Sequence, residues 1–178
     1  MMTEEYVFNN KEDIVSYVYH SLSNPTPIKL QKTLYFLWAF YSATYGNIVY
    51  DKNSEFDSDA RYPKNLFNPE FEAWRYGPVD NQVYSWDKGN VIETFRNNFQ
   101  NKFDKNNRSD NSQDMEIKLF MDDLIKQIDL VNDFGLVDRS HEDKAYKAAY
   151  KEGAYHVPMN PEAIKEDYLG YVKHQAEI

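Results

Sequence analysis

The chain has 178 residues, a length that suits one domain with a substantial hydrophobic core. Hydrophobic residues make up 42% of it and aromatic residues 16%, which excludes a wholly disordered chain. The formal net charge of −9 opposes sequence-independent binding to nucleic acid, because neutralising phosphates requires a surplus of lysine and arginine.

The sequence has no cysteine, so it offers no disulfide, no thiol nucleophile and no thiolate metal site. It also lacks the run of about 18 apolar residues that a membrane span requires. Residues 1–5 do not have the basic and apolar regions of a secretory signal. We therefore expect a cytoplasmic protein that makes no contact with a membrane.

The first predicted helix runs from Lys11 to Leu22, with Asn10 as its N-cap and Pro25 beyond its end. Residues 1–9 are expected to form a leader outside the domain. Apolar residues recur at helical spacing and predict an amphipathic helix on a core: Ile14, Val15, Val18, Tyr19 and Leu22.

The second predicted helix is the clearest element of the sequence. Thr26 is its N-cap, Pro27 occupies its first position and Gly46 ends it. The run LYFLWAFY at residues 34–41 leaves little surface for water, so this helix should be central and nearly buried. A buried strand is the competing interpretation, but the length and the two caps favour a helix.

The middle of the chain predicts two polar loops, at residues 51–69 and 97–114. A short edge strand is possible at residues 48–50. Residues 71–76 alternate weakly and predict a short strand or extended segment, followed by a helix that starts at Pro78.

Three helices are predicted in the last third. One follows Ser112 and lasts until Gly135, a capping box of Ser140 and Asp143 opens a short second one that ends near Gly153, and the third starts at Pro161. The predicted fold is mostly α, a single-domain helical bundle over residues 10–178 around one nearly buried helix. Short β elements are expected at most near residues 48–50 and 71–76.

Motifs of enzymes are missing from the sequence. The six glycines are too far apart for either familiar phosphate-binding loop, and there is no G-x-S-x-G elbow. His141 precedes Glu142, but H-E-x-x-H is absent, so His141 is interpreted as a hydrogen-bonding residue at a helix start. We expect no catalytic residue, no cofactor and no metal. A hydrolase assembled from distant residues is the alternative.

Most aromatic side chains are expected in the core, among them Trp38 and Trp74. A base-stacking platform is the alternative, but too few basic residues lie between the rings. Arg75, Tyr76 and Trp86 flank predicted turns and are of the types enriched at binding hot spots, although a structural role is equally compatible with the sequence.

Three segments, in this order, resemble the Panacea domain, also called the SocA-like or phage-associated GepA-like family. They are PIKLQKTLY at residues 27–35, EAWRYGPV at residues 72–79 and SHEDKAY at residues 140–146. The resemblance covers about residues 10–170. It implies a helical antitoxin of bacteria or their phages that inactivates a cognate toxin by direct contact. Toxins of such pairs include enzymes that modify nucleotides or tRNA, and one relative carries its toxin to a AAA+ protease.

We therefore expect a protein-binding antitoxin in the cytoplasm of a bacterial cell or phage-infected host. The alternative is a phage-encoded inhibitor or proteolytic adaptor that acts on a host defence or protease system. Residues 109–178 carry 15 acidic and 8 basic side chains, a balance that could attract a basic partner or simply aid solubility. The candidate contact residues are Arg75, Tyr76, Trp86, His141, Tyr146 and Tyr150.

Overall fold

The computed structural model describes residues 5–48, 62–95 and 112–176. Within these ranges the chain is a mostly α single domain with seven α-helices and one small antiparallel sheet, which confirms the predicted fold class. The elements are α1 (Lys11–Ser21), α2 (Pro27–Thr44), β1 (Phe71–Trp74), β2 (Gly77–Asp80), α3 (Asn81–Lys88), α4 (Ser112–Asp129), α5 (Asp133–His141), α6 (Lys144–Ala149), β3 (Val157–Pro158) and α7 (Pro161–Ala176).

The first two helices begin where the capping residues predict. The side chain of Asn10 accepts a hydrogen bond from the backbone N–H of Glu12, and that of Thr26 accepts one from the backbone N–H of Lys29. Each cap satisfies a backbone donor that has no partner inside its helix. The predicted start of α7 at Pro161 is likewise confirmed.

Helix α2 is the centre of the core, as predicted. Every residue from Lys29 to Ala39 is buried, and α2 contacts α1, α3, α4, α5, α7 and β2. The polar ends of its buried aromatic side chains have partners: Trp38 Nε1 donates to the Phe67 carbonyl at 3.0 Å, and the Tyr41 hydroxyl donates to the Pro63 carbonyl at 2.8 Å. Large rings therefore fill the core without a desolvated donor.

The predicted helix start at Pro78 is wrong, because a β-hairpin occupies this part of the chain. Pro78 lies inside β2, because Trp74 pairs with Gly77 and the chain reverses through Arg75 and Tyr76. Helix α3 starts three residues later, with the Asp80 side chain accepting from the Val83 backbone N–H at 3.1 Å. The hairpin becomes a three-stranded sheet in the order β2-β1-β3.

The predicted leader and one predicted polar loop both contribute to the core. Leu66 and Phe67, which fall in the predicted loop 51–69, are fully buried, and so are Val7 and Phe8 of the predicted leader. The backbone N–H groups of Val7 and Phe8 donate to carbonyls of residues 65 and 66, which holds the two segments together. Ile48 is exposed and belongs to no strand. The rest of the predicted element at 48–50 and residues 51–61 and 97–111 of the predicted loops lie outside the described residues.

Gly135 does not end the helix that follows Ser112. Helix α4 stops at Asp129, and Gly135 lies in the first turn of α5, where its N–H donates to the Asn132 side chain at 2.7 Å. Asn132 is thus the N-cap of a new helix, and this local bond replaces the predicted glycine stop. In the described ranges, no helix combines the length and the apolar character that crossing a bilayer requires.

Candidate functional site

The segment at residues 72–79, which forms most of the β-hairpin, meets the segments at residues 27–35 and 140–146. Gly77 is the meeting point, since a Cβ atom placed on it would lie 2.5 Å from Ser140 Oγ and 2.7 Å from Lys32 Cε. Its φ of +103° is also a conformation that favours glycine. Close packing and backbone conformation both require a glycine here, so the hairpin can press against α2 and α5.

Lys32 is a buried lysine without an acidic partner among the described residues. Lys32 is 1% exposed, and its Nζ atom donates a hydrogen bond to the Pro78 carbonyl at 3.0 Å. Salt bridges in the described ranges involve other lysines. Burial lowers the pKa of Lys32 from 10.5 to about 7, because the charged form loses its hydration. Near neutral pH, Lys32 can therefore gain or lose a proton.

Asp143 holds a fully buried carboxylate that four donors satisfy. Oδ2 accepts from the hydroxyls of Tyr35 and Tyr168 at 2.6 and 2.7 Å. Oδ1 accepts from the Tyr171 hydroxyl at 2.9 Å and from Arg139 Nη1 at 3.3 Å. The predicted capping box is wrong, because Asp143 is itself the N-cap residue of α6, makes no side-chain cap bond, and directs its carboxylate to these distant donors.

Ser140 likewise does not cap α6. It lies in the last turn of α5, is buried, and donates to the Val137 carbonyl at 2.8 Å. The segment SHEDKAY is therefore a helix end, a buried carboxylate and a helix start in succession. Within this segment, the hydrogen bonds of Asp143 connect α2, α5 and α7.

His141, Tyr146 and Tyr150 form a stack of three rings. The His141 and Tyr146 ring centroids are 4.7 Å apart and nearly parallel, and those of Tyr146 and Tyr150 are 5.4 Å apart. His141 lies at the end of α5, so its predicted place at a helix start is wrong. Burial, followed by the charge of Lys32, lowers the pKa of His141. Its Nε2 is buried and has no hydrogen-bond partner in the described part of the chain.

The predicted contact residues have different degrees of exposure. Arg75 and Tyr76 are exposed at the tip of the hairpin, with the guanidinium 5.4 Å from the Tyr76 ring centroid. Trp86 is half-buried against Phe95. Tyr146 is buried, and its hydroxyl donates to the Trp74 carbonyl at 2.6 Å. Arg75 and Tyr76 thus offer surface for a partner, whereas Tyr146 supports the hairpin.

A cavity of ≈ 170 Å³ lies between the hairpin, α2 and α3. Arg75 and Asp87 are the other charged residues that line it besides Lys32. Trp74 is half-buried here and packs its ring 5.0 Å from that of Tyr84, so it is not the core residue that its sequence position predicts. Apolar and aromatic side chains form most of the wall: Ile28, Trp74, Tyr76, Val79 and Tyr84.

A larger groove of ≈ 830 Å³ shares Trp74, Arg75 and Tyr84 with the cavity. Trp74 also packs on the His156 ring at 5.2 Å, and His156 Nδ1 is 2.9 Å from the Glu72 carboxylate. The groove is lined by polar and apolar groups alike, including the exposed Tyr155. No group of three metal-ligating side chains occurs in the ranges that the structure describes.

Sequence reasoning missed Lys32, Tyr84 and Phe134 as surface or cavity residues. Lys32 had a visible signal, because a lysine inside a helix that is predicted to be buried on all sides has no route to water. Phe134 is 65% exposed and follows the N-cap of α5, where its exposure depends on the angle between two helices. Neighbouring residues in the sequence do not determine that angle, so the exposure of Phe134 could not be predicted.

The fold and the site define a small helical domain with a buried cation beside an apolar cavity. No family model, no curated protein and no solved structure matches this chain.

Proposed function

We propose that this protein is an antitoxin that neutralises a cognate toxin by direct protein contact. The observation that carries the proposal is an exposed apolar surface, which we call the corner patch. It lies where the α4–α5 connection meets the hairpin and consists of Tyr76 (48% exposed), Leu130 (86%), Val131 (40%) and Phe134 (65%).

The four side chains of the corner patch are linked by one ring contact and by their proximity in the chain. The Tyr76 and Phe134 rings are 6.5 Å apart, and Leu130 and Val131 form the turn that precedes α5. Single exposed apolar residues are ordinary, but a cluster that includes two aromatic rings beside an arginine is typical of a binding surface. Arg75 supplies that arginine, 5.4 Å from the Tyr76 ring.

Acidic side chains border the corner patch. Asp129 and Asp133 flank Leu130 and Val131 in the chain, and their carboxylates accept hydrogen bonds from Ser23 and Thr26. A toxin that acts on RNA or a nucleotide needs a basic substrate site, which an acidic border complements. The resemblance to the Panacea domain and the net charge of −9 support the same reading.

Co-expression with the product of the neighbouring gene tests the function. We expect that product to arrest growth by itself and to become harmless when this protein is present, with the two proteins co-purifying. A harmless neighbour, or continued toxicity in the presence of this protein, contradicts the proposal. Rescue of growth without a complex contradicts neutralisation by contact.

A further inference from the structure

We propose that the cavity beneath the hairpin binds a small apolar carboxylic acid, whose hydrocarbon part fills the cavity and whose carboxylate pairs with Lys32. This inference does not depend on the antitoxin proposal. It rests on two observations: the size and lining of the cavity, and the lack of an acidic partner for Lys32 among the described residues.

The cavity has the dimensions of one ring or one branched hydrocarbon group. At ≈ 170 Å³ it is close to the roughly 150 Å³ of an engineered protein cavity that binds benzene. Its wall includes the Trp74 and Tyr84 rings and the side chains of Ile28 and Val79. Such a wall attracts an apolar group by removing it from water and by contact with the ring faces.

Lys32 supplies the charge that selects an acid. Within the described residues Nζ donates one hydrogen bond, to the Pro78 carbonyl, and an ammonium group has three N–H donors. Lys32 lines the cavity together with Ile28 and Gln31 of the same helix, which places its side chain at the cavity wall. A buried cation without a carboxylate is costly, and a bound carboxylate would remove that cost.

The other charged and titratable groups around Lys32 define its surroundings. The hairpin contributes Arg75 and Tyr76, α3 contributes Tyr84 and Asp87, and α5 contributes His141. Burial raises the pKa of Asp87 and lowers that of His141. Arg75 adds a second cation to the cavity, whereas Asp87 opposes an acid.

Protonation of Lys32 should make the apparent affinity for the acid depend on pH. Because the pKa of free Lys32 is about 7, an acid that requires the ammonium form must bring a proton with it in alkaline solution. The apparent affinity should then fall by about tenfold for each pH unit above 7. Below pH 7 the lysine is already charged, and the affinity should level off.

The experiment uses benzoate as the probe and isothermal titration calorimetry of the full chain near pH 6.5 and 8.5, in two buffers of different ionisation enthalpy. We expect one saturable site, uptake of close to one proton at the higher pH, and weaker binding there. Benzamide, which has the same ring and no charge, should bind at least about tenfold more weakly than benzoate at the lower pH.

Two variants assign the effect to the cavity. Lys32→Met keeps an unbranched side chain that is one atom shorter and carries no charge, and it should abolish both the proton uptake and the preference for benzoate over benzamide. Asp87→Asn leaves Lys32 intact and should strengthen benzoate binding severalfold by removing the opposing carboxylate, which provides a test even if Lys32→Met does not fold. Absence of saturable binding at about 10 mM benzoate, where even a millimolar ligand would bind, overturns the proposal, as does equal binding of the two probes or weaker binding to Asp87→Asn.

Discussion

Asp143 shows how a buried charge can be part of a stable core. A carboxylate removed from water loses several kcal/mol of hydration unless its oxygens are hydrogen-bonded. Three tyrosine hydroxyls and one guanidinium meet that need, with Tyr35 from α2, Arg139 from α5, and Tyr168 and Tyr171 from α7. The side chain joins α5 and α7 to α2, whose Tyr35 lies 108 residues before Asp143.

Neutralising Asp143 should therefore destabilise the fold. We expect Asp143→Asn to lower the free energy of unfolding by about 2–4 kcal/mol, because three phenols lose an ionised acceptor and Arg139 loses its buried partner. Urea denaturation followed by circular dichroism measures the change. Asp138→Asn is the matched control, since Asp138 is exposed on the same helix α5 and its loss should cost less than about 0.5 kcal/mol. Equal effects of the two substitutions would refute this role.

Lys32 should make the stability of the protein depend on pH. Its pKa is lowered to about 7 in the folded chain, against 10.5 for a hydrated lysine. Between these two values the unfolded chain binds a proton that the folded chain does not, so folding becomes more favourable as pH rises through this window. Below pH 7 both states are protonated, and the full cost of burying the charge remains.

Comparison with Lys32→Met isolates this contribution. We expect the stability advantage of the variant to be largest at or below pH 7 and to shrink by up to about 1.4 kcal/mol per pH unit toward pH 10.5. Urea unfolding of both proteins at several pH values measures it. Lys32→Arg, which stays charged, should remain destabilised throughout the window. A difference between Lys32→Met and wild type that does not vary with pH contradicts a titrating lysine.

The hairpin is the element that brings the site together, and Gly77 limits how it packs. We expect Gly77→Ala to destabilise the protein by about 2–4 kcal/mol, since the new methyl group adds overpacking against Ser140 and Lys32 to the strain of a positive φ. Gly153→Ala is the matched control, because Gly153 has a φ of +81° but open space around it. Thermal unfolding of both variants separates the two contributions, and an equal loss would show that packing at Gly77 is unimportant.

Local signals predicted the starts of α1 and α2, although the equally local caps of α3 and α5, Asp80 and Asn132, were missed. The signals also failed where distant residues decide the outcome. Asn10 and Thr26 fix helix starts through bonds within three residues, so sequence alone locates them. Asp143 resembles a member of a capping box, but its carboxylate is satisfied by tyrosines from α2 and α7.

The hairpin and the cavity could not be predicted for the same reason. Pro78 is common at helix starts, yet it pairs with Ala73 in a strand because Gly77 allows the preceding turn. Lys32 lines a cavity whose other walls come from the hairpin and α3. The sequence identifies the residues of this site, whereas their proximity depends on tertiary packing.

The whole molecule is arranged around α2, and the corner patch groups four of its exposed apolar side chains. Binding energy is usually concentrated in a few such side chains, while the acidic surroundings govern the rate of association. The scaffold and the proposed contact surface are therefore separable, because the corner patch residues are exposed and the core residues of α2 are not.

Substitutions in the corner patch should weaken neutralisation without unfolding the protein. We expect Phe134→Ser and Leu130→Ser each to reduce affinity for the partner by about tenfold or more, since each removes an exposed apolar anchor. Leu119→Ser is the matched control, because Leu119 is 60% exposed on α4 outside the patch. Growth rescue and calorimetric affinity are the readouts. If Leu119→Ser reduces affinity as much as the patch variants, the patch is not the contact surface.

The distance in sequence between α2 and its partners has a consequence for synthesis. Tyr35 and Asp143 are 108 residues apart, and the tyrosines of α7 follow later still. At ribosomal rates of about 5–20 residues per second, α2 waits roughly 5–20 s before Asp143 has been made. During that interval α2 can contact α1, the hairpin and α3, but the side of α2 that α7 covers stays open until the last helix has been made.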